Sequence, residues 1–253
     1  MATYNKRGYK PKTKEEVIQQ VEEDSTTAEV FNTLDDSASK VEEFVERNQK
    51  YIFILIGIVA LFVLGTLAYK NFILKPKQKE AASAIYKAQT YFDDALNQSK
   101  DSLYVLALNG DGDAMGMLDI IKEYKGTASA NLANYYAGTA YLKLNKYKEA
   151  IEHLDAFDSD DEILAPLAKG NIGNAFAELD QKEDALSYYE EAAQMRDNSY
   201  TTPMFLYKAG VTALGLDNNT KALQCFERID KDYPKSEQAN QVKVLIAKLK
   251  AMQ

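Results

Sequence analysis

Residues 131–155 read NLANYYAGTAYLKLNKYKEAIEHLD, residues 166–190 read PLAKGNIGNAFAELDQKEDALSYYE, and residues 203–229 read PMFLYKAGVTALGLDNNTKALQCFERI. Aligned on one glycine, the three lines share a register. Gly138, Gly173 and Gly210 are separated by 35 and 37 residues, and Ala150, Ala185 and Ala222 follow them 12 residues later each time. Ala137-Gly138-x-x-Tyr141 leads to Ala150-x3-Leu154, Ile172-Gly173-x-x-Phe176 to Ala185-x3-Tyr189, and Ala209-Gly210-x-x-Ala213 to Ala222-x3-Phe226. Glycine and alanine at such fixed positions mark where two helices approach too closely for a larger side chain. The bulky residue four positions after each alanine fills the wedge beside the contact. Each unit therefore reads as a helical hairpin. Asn145-Lys146, Asp180-Gln181 and Asp217-Asn218-Asn219 supply the turns, and Thr202-Pro203 has the form of an N-cap followed by proline at the first helical position.

This spacing, closed by Tyr233-Pro234, resembles the tetratricopeptide repeat (TPR) pattern W-x2-L-G-x2-Y, A-x3-F, P, with its period of about 34 residues. The repeats are assigned to 131–164, 166–199 and 203–234. Before them, 79–98 carries Ile85, Ala88, Phe92 and Leu96 at helical spacing, and 114–124 forms a second helix after a Gly/Asp loop; together they predict an irregular hairpin over 79–125. After them, Ser236 can cap a closing helix, 236–250, with Ala239, Val242, Leu245, Ile246 and Leu249 on its apolar side. The expected fold class is all-α: a single transmembrane helix followed by a TPR-type solenoid over 79–253.

The transmembrane expectation rests on residues 51–69, YIFILIGIVALFVLGTLAY, 19 positions without a charged side chain. At about 1.5 Å per residue they match a hydrocarbon core of roughly 30 Å. Tyr51 and Tyr69 suit the two interfaces, with Lys50 and Lys70 outside them. About fifty polar residues precede the run, so it reads as an anchor within a segment 38–75 and not as a cleaved signal. Gly57, Ala60, Gly65 and Ala68 form a small-residue face on which another membrane helix can pack. The tail, 1–37, is read as disordered or partly helical, with a capping box at Thr13 to Glu16 opening a short helix from about 14 to 23. Lys40, Arg47 and Lys50 precede the span within 20 residues while Lys70, Lys75, Lys77, Lys79 and Lys87 follow it, a bias that places the repeats on the cytoplasmic side. The basic tail around Lys6, Arg7 and Lys10 argues the other way.

Composition removes other classes. With 30 Lys+Arg against 38 Asp+Glu the chain carries a net charge of −8, the wrong sign for a nucleic-acid surface. One His, His153, and one Cys, Cys225, are too few for a familiar zinc site, and with no nucleophile-elbow motif beside a single His no Ser-His-Asp triad is expected. Asn109-Gly-Asp111-Gly-Asp113 begins like a calcium loop, but Ala114 and Ile120 stand where Gly and the bidentate Glu belong, so a turn is expected. No phosphate-cradling or nucleophile-elbow motif is present. The reading is a non-enzyme with no cofactor and no metal.

In a TPR stack the first helices line a concave groove. Here that places Leu132, Tyr135, Thr139, Leu142 and Lys143 in it, then Leu167, Gly170, Asn174, Ala177 and Glu178, then Met204, Tyr207, Val211 and Leu214. The row is apolar and aromatic, suited to an extended or helical peptide, or to one of the chain's own terminal helices.

A membrane helix near residue 50, the junction NFILKPKQKEA, and the run from Leu106-Ala-Leu-Asn-Gly-Asp-Gly through Ala130-Asn-Leu-Ala-Asn-Tyr-Tyr-Ala-Gly resemble the YfgM-like TPR family, ancillary subunits of the SecYEG translocon, over roughly 38–250. The resemblance implies a bacterial inner-membrane protein with its N-terminus in the cytoplasm and the TPR domain in the periplasm. It implies as partners SecYEG subunits, periplasmic chaperones or secretory clients, and the lipid bilayer. The second reading is a cell-envelope assembly scaffold that does not touch translocating clients.

Overall fold

A computed structural model describes residues 26–252. The helix expected at 14–23 and the rest of the tail to residue 25 lie outside the described residues. What is described is helical, with no strand: α1 (Thr26–Tyr69), a π-helical segment (Lys70–Leu74), α2 (Lys75–Gln98), α3 (Asp101–Asn109), α4 (Met117–Glu123), α5 (Ala128–Lys143), α6 (Tyr147–Asp155), α7 (Leu164–Glu178), α8 (Lys182–Met195), α9 (Thr201–Leu214), α10 (Asn219–Asp232) and α11 (Glu237–Ala251). The chain divides into two compact units, one ending at Ala68 and one beginning at Tyr69.

In the first unit, residues 51–68 face outward, half-buried Ile52 apart; Leu61 and Phe62 are each 72% exposed. They lie in the one helix among the described residues that is long and apolar enough to cross a membrane. A helix apolar all round, with no protein over it, is stable in lipid and not in water.

The second unit is a stack of hairpins. α5 pairs with α6, α7 with α8, α9 with α10, and each hairpin packs on the next, with α11 closing the end. The three hairpin turns are the same turn. Asn145, Asp180 and Asp217 all adopt the left-handed conformation, at φ of 59°, 57° and 57°. Each is followed by an N–H that reaches back five residues at 2.9 Å: Lys146 to the Tyr141 carbonyl, Gln181 to that of Phe176, Asn218 to that of Ala213. Asn and Asp are the side chains that tolerate this backbone best after glycine, which is why they stand there.

The close approaches also repeat. A Cβ built on Gly138 would lie 2.5 Å from Leu154 Cγ, one on Gly173 2.8 Å from the Tyr189 ring, and one on Gly210 2.4 Å from the Phe226 ring. The partner is each time the bulky residue four after the register alanine, and Ala150, Ala185 and Ala222 are fully buried. The C-terminal core gathers Tyr189, Phe205, Phe226, Ile229, Val242 and Leu249; a second gathers Ile85, Phe92, Tyr104, Leu108, Met117 and Ile120; Leu154 and Ile172 join them between. Each such side chain contributes about 1.5–3 kcal/mol by leaving water.

Four local expectations differ. The opening segment holds three helices and not two, because α3 forms in the stretch DSLYVLALN, whose Tyr104, Ala107 and Leu108 are buried against α2. Thr202 does not cap α9. The N-cap is Tyr200, which makes no side-chain capping bond; Asn198 Oδ1, two residues earlier, accepts the N–H groups of Tyr200 and Thr201 at 2.9 and 2.7 Å, and Pro203 falls third in the helix, where its missing N–H still costs nothing. Ser236 stands at the N-cap of α11, yet its hydroxyl makes no capping bond and is buried without a partner. The junction at 70–74, inside the segment expected to run as the membrane helix to residue 75, is a π-helical turn.

Candidate functional site: the row of first helices

α5, α7 and α9 carry the residues assigned to the groove. Most are half-buried and spend part of their surface on packing between repeats. Leu132 packs against the opening core, and Leu167, Met204, Tyr207 and Leu214 against the C-terminal one. Tyr135 meets Phe157 and Tyr136 at ring-centroid distances of 5.3 and 5.9 Å, and burial pushes its hydroxyl pKa up. Thr139 donates to the Tyr135 carbonyl at 2.8 Å, one turn back. Leu142 is half-buried, while Lys143, Ala177, Glu178 and Val211 are exposed, Val211 at 44%. Gly170 is not a surface position. A Cβ there would fall 1.8 Å from the Phe205 ring, which covers it from the following repeat.

The polar centre of the row links repeats two and three. Asn174 Oδ1 accepts the Tyr189 hydroxyl and Lys208 Nζ, each at 2.9 Å, and the Asn174 amide donates to Asn171 Oδ1 at 3.0 Å. Lys208 Nζ lies 5.6 Å from the Tyr189 ring centre, within cation–π range. Burial lowers the Lys208 pKa against the opposing pull of Glu178, and burial raises that of Tyr189 to about 12. Lys208 makes no ion pair among the described residues. The spacing of Asn174 identified it as a groove residue. Lys208 escaped notice because its contact spans 34 residues and belongs to no repeat pattern.

Other candidates resolve into structure. Asp111 Oδ1 accepts the N–H groups of Asp113 and Ala114 at 3.1 and 2.8 Å, and its second oxygen takes the Tyr91 hydroxyl, so this carboxylate closes a turn. No cluster of metal-ligating side chains occurs among the described residues. Cys225 is buried, and burial pushes its thiol up to about 11, far from a nucleophile at neutral pH. His153 is half-buried, stacked 5.4 Å from the Tyr141 ring; its Nδ1 donates to Asn134 Oδ1 at 3.0 Å. Both line an open cleft of about 810 Å³ between the α4–α5 loop and α6 that sequence reasoning did not anticipate. Ile121 and Lys122 of α4 also line it.

On α1 the small-residue face is open: Gly57, Ala60, Gly65 and Ala68 are exposed, and a Cβ at Gly57 or Gly65 would meet nothing within 4 Å.

The tetratricopeptide repeat family model matches residues 205–236, from within α9 through α10 to the N-cap of α11. No curated protein matches the chain. Repeats of this kind are protein-interaction modules, built to present an extended surface and not a reaction centre.

Proposed function

We propose that the chain is a membrane-anchored TPR adaptor of the Sec translocon, which binds secretory clients or periplasmic chaperones along the row of first helices. The observation that carries the interaction reading is the threefold recurrence of one turn and one helix contact, which repeats a single unit into a surface. The exposed apolar span supports the anchor. The resemblance of residues 38–250 to the YfgM-like family supports the translocon, and with it a cytoplasmic N-terminus and a periplasmic solenoid in the bacterial inner membrane. Exposed Val211, Glu178 and Lys143 offer the free surface, while half-buried Tyr207, Met204 and the Lys208–Asn174 pair form its floor.

The test is gentle detergent extraction of the tagged native protein, with mass spectrometry of what accompanies it. SecY-type subunits are expected, at a recovery that falls several-fold in the variant Gly57→Leu/Gly65→Leu. Both substitutions enter open space, so they leave the repeats intact and alter only the membrane-facing surface. Recovery of cell-wall machinery in place of SecY-type subunits would replace this reading with the scaffold one.

A further inference from the structure

The residues that follow the span form a surface which neither the repeats nor the anchor uses. From Arg47 to Lys79 the chain holds no Asp or Glu, although its net charge is −8. Lys70, Lys75, Lys77 and Lys79 fall in the last ten of those positions, and none makes an ion pair among the described residues. Between them stands Phe72, 81% exposed and the most exposed large hydrophobic side chain described, with Tyr69 at 55% and Ile73 at 54%.

The π-helical turn arranges the charges. In an α-helix at about 100° per residue, Lys70 and Lys75 would lie about 140° apart. Over Lys70–Leu74 the bonding runs five residues, with the Lys75 N–H on the Lys70 carbonyl, so these two lysines sit one turn apart on the same side. Lys79 follows one α-helical turn later. Gln78, whose Oε1 accepts the Ala128 N–H at 3.0 Å, and buried Ala81 mark the side of α2 turned to the repeats; Lys75 and Lys79 are exposed.

We infer that residues 69–79 bind the phosphate headgroups of anionic phospholipids, with Lys70, Lys75 and Lys79 as the stripe that meets the phosphates and Tyr69, Phe72 and Ile73 seated at the interface. The inference rests on the membrane reading of 51–69. Those 19 residues rise about 28 Å and fill the hydrocarbon layer, so the segment beyond them starts at headgroup depth and its later lysines stay within about a Debye length of the phosphates. Aromatic side chains partition there, and each lysine at an anionic surface raises association about fivefold.

The chain has no Trp, so Phe72→Trp in the full-length protein gives a single reporter. It is reconstituted in phosphatidylcholine vesicles containing an equal mole fraction of either brominated phosphatidylglycerol or brominated phosphatidylcholine, and quenching is compared. Preferential quenching by the brominated phosphatidylglycerol is expected, corresponding to a relative association constant of about five or more. Adding Lys70→Gln, Lys75→Gln and Lys79→Gln is expected to bring the two lipids to parity. Equal quenching in the Phe72→Trp protein itself overturns the headgroup site and leaves the span standing. Absence of quenching by either lipid overturns both.

Discussion

Truncating Phe205 to Ala is expected to lower the unfolding free energy of the repeat unit by about 3–5 kcal/mol. Phe205 is 1% exposed and sits where repeats two and three meet: its ring covers Gly170 and stacks on Tyr189 at 6.4 Å. Removing it deletes a large buried surface and opens a cavity that two helices, fixed by their own turns, cannot close. The reverse intrusion, Gly170→Ala, pushes a methyl group into the same ring at 1.8 Å and is expected to cost about 1–3 kcal/mol by overpacking. The two changes share one space, so the double variant is expected to cost less than their sum. Denaturant unfolding of the full chain in mild detergent, followed by circular dichroism, measures all three. Additive costs would mean that Phe205 and Gly170 do not touch.

Gly116→Ala is the second large effect, and its cause is different. A Cβ at Gly116 would lie 2.3 Å from the Leu108 carbonyl oxygen and 2.4 Å from the Asn109 carbonyl carbon and the Gly110 nitrogen. All three are backbone atoms, so no rotamer change relieves the collision and the α3–α4 connection must open. A loss of about 3 kcal/mol is expected, at the upper end of overpacking costs. Gly112 in the same loop supplies the control. It needs the left-handed backbone, at φ of 94°, but nothing lies within 4 Å of its Cβ, so Gly112→Ala is expected to cost about 1 kcal/mol. Equal thermal shifts for the two variants would contradict the close approach.

Those glycines show which parts of the fold the sequence could carry. Gly138, Gly173 and Gly210 were legible because each meets a partner at a fixed offset, and the offset recurs. Gly110 and Gly116 serve a single crossing that nothing in the sequence repeats, and Gly110 stood out only within the Asn109–Asp113 run that begins like a calcium loop. α3 was unread because DSLYVLALN is short and apolar on more than one side, without a period. The π turn is followed at once by Pro76, but its five-residue bonding belongs to no repeat in the sequence. The groove was legible as a row of positions, since first-helix register needs only the repeat. The share of each side chain spent on packing depends on the neighbouring repeat, as at Leu132, Met204 and Tyr207, and the Lys208–Asn174 bond joins positions that no local pattern relates.

The most direct measurement of the adaptor reading places a photo-crosslinking residue at Val211, exposed on the first helix of repeat three, and a control at Glu191, exposed on the second helix of repeat two. Each full-length protein is irradiated in cells that hold a secretory chain stalled in the translocon. An adduct to the stalled chain is expected from position 211 and none from position 191. Equal labelling from both positions, or none from 211, would contradict client binding along the first helices.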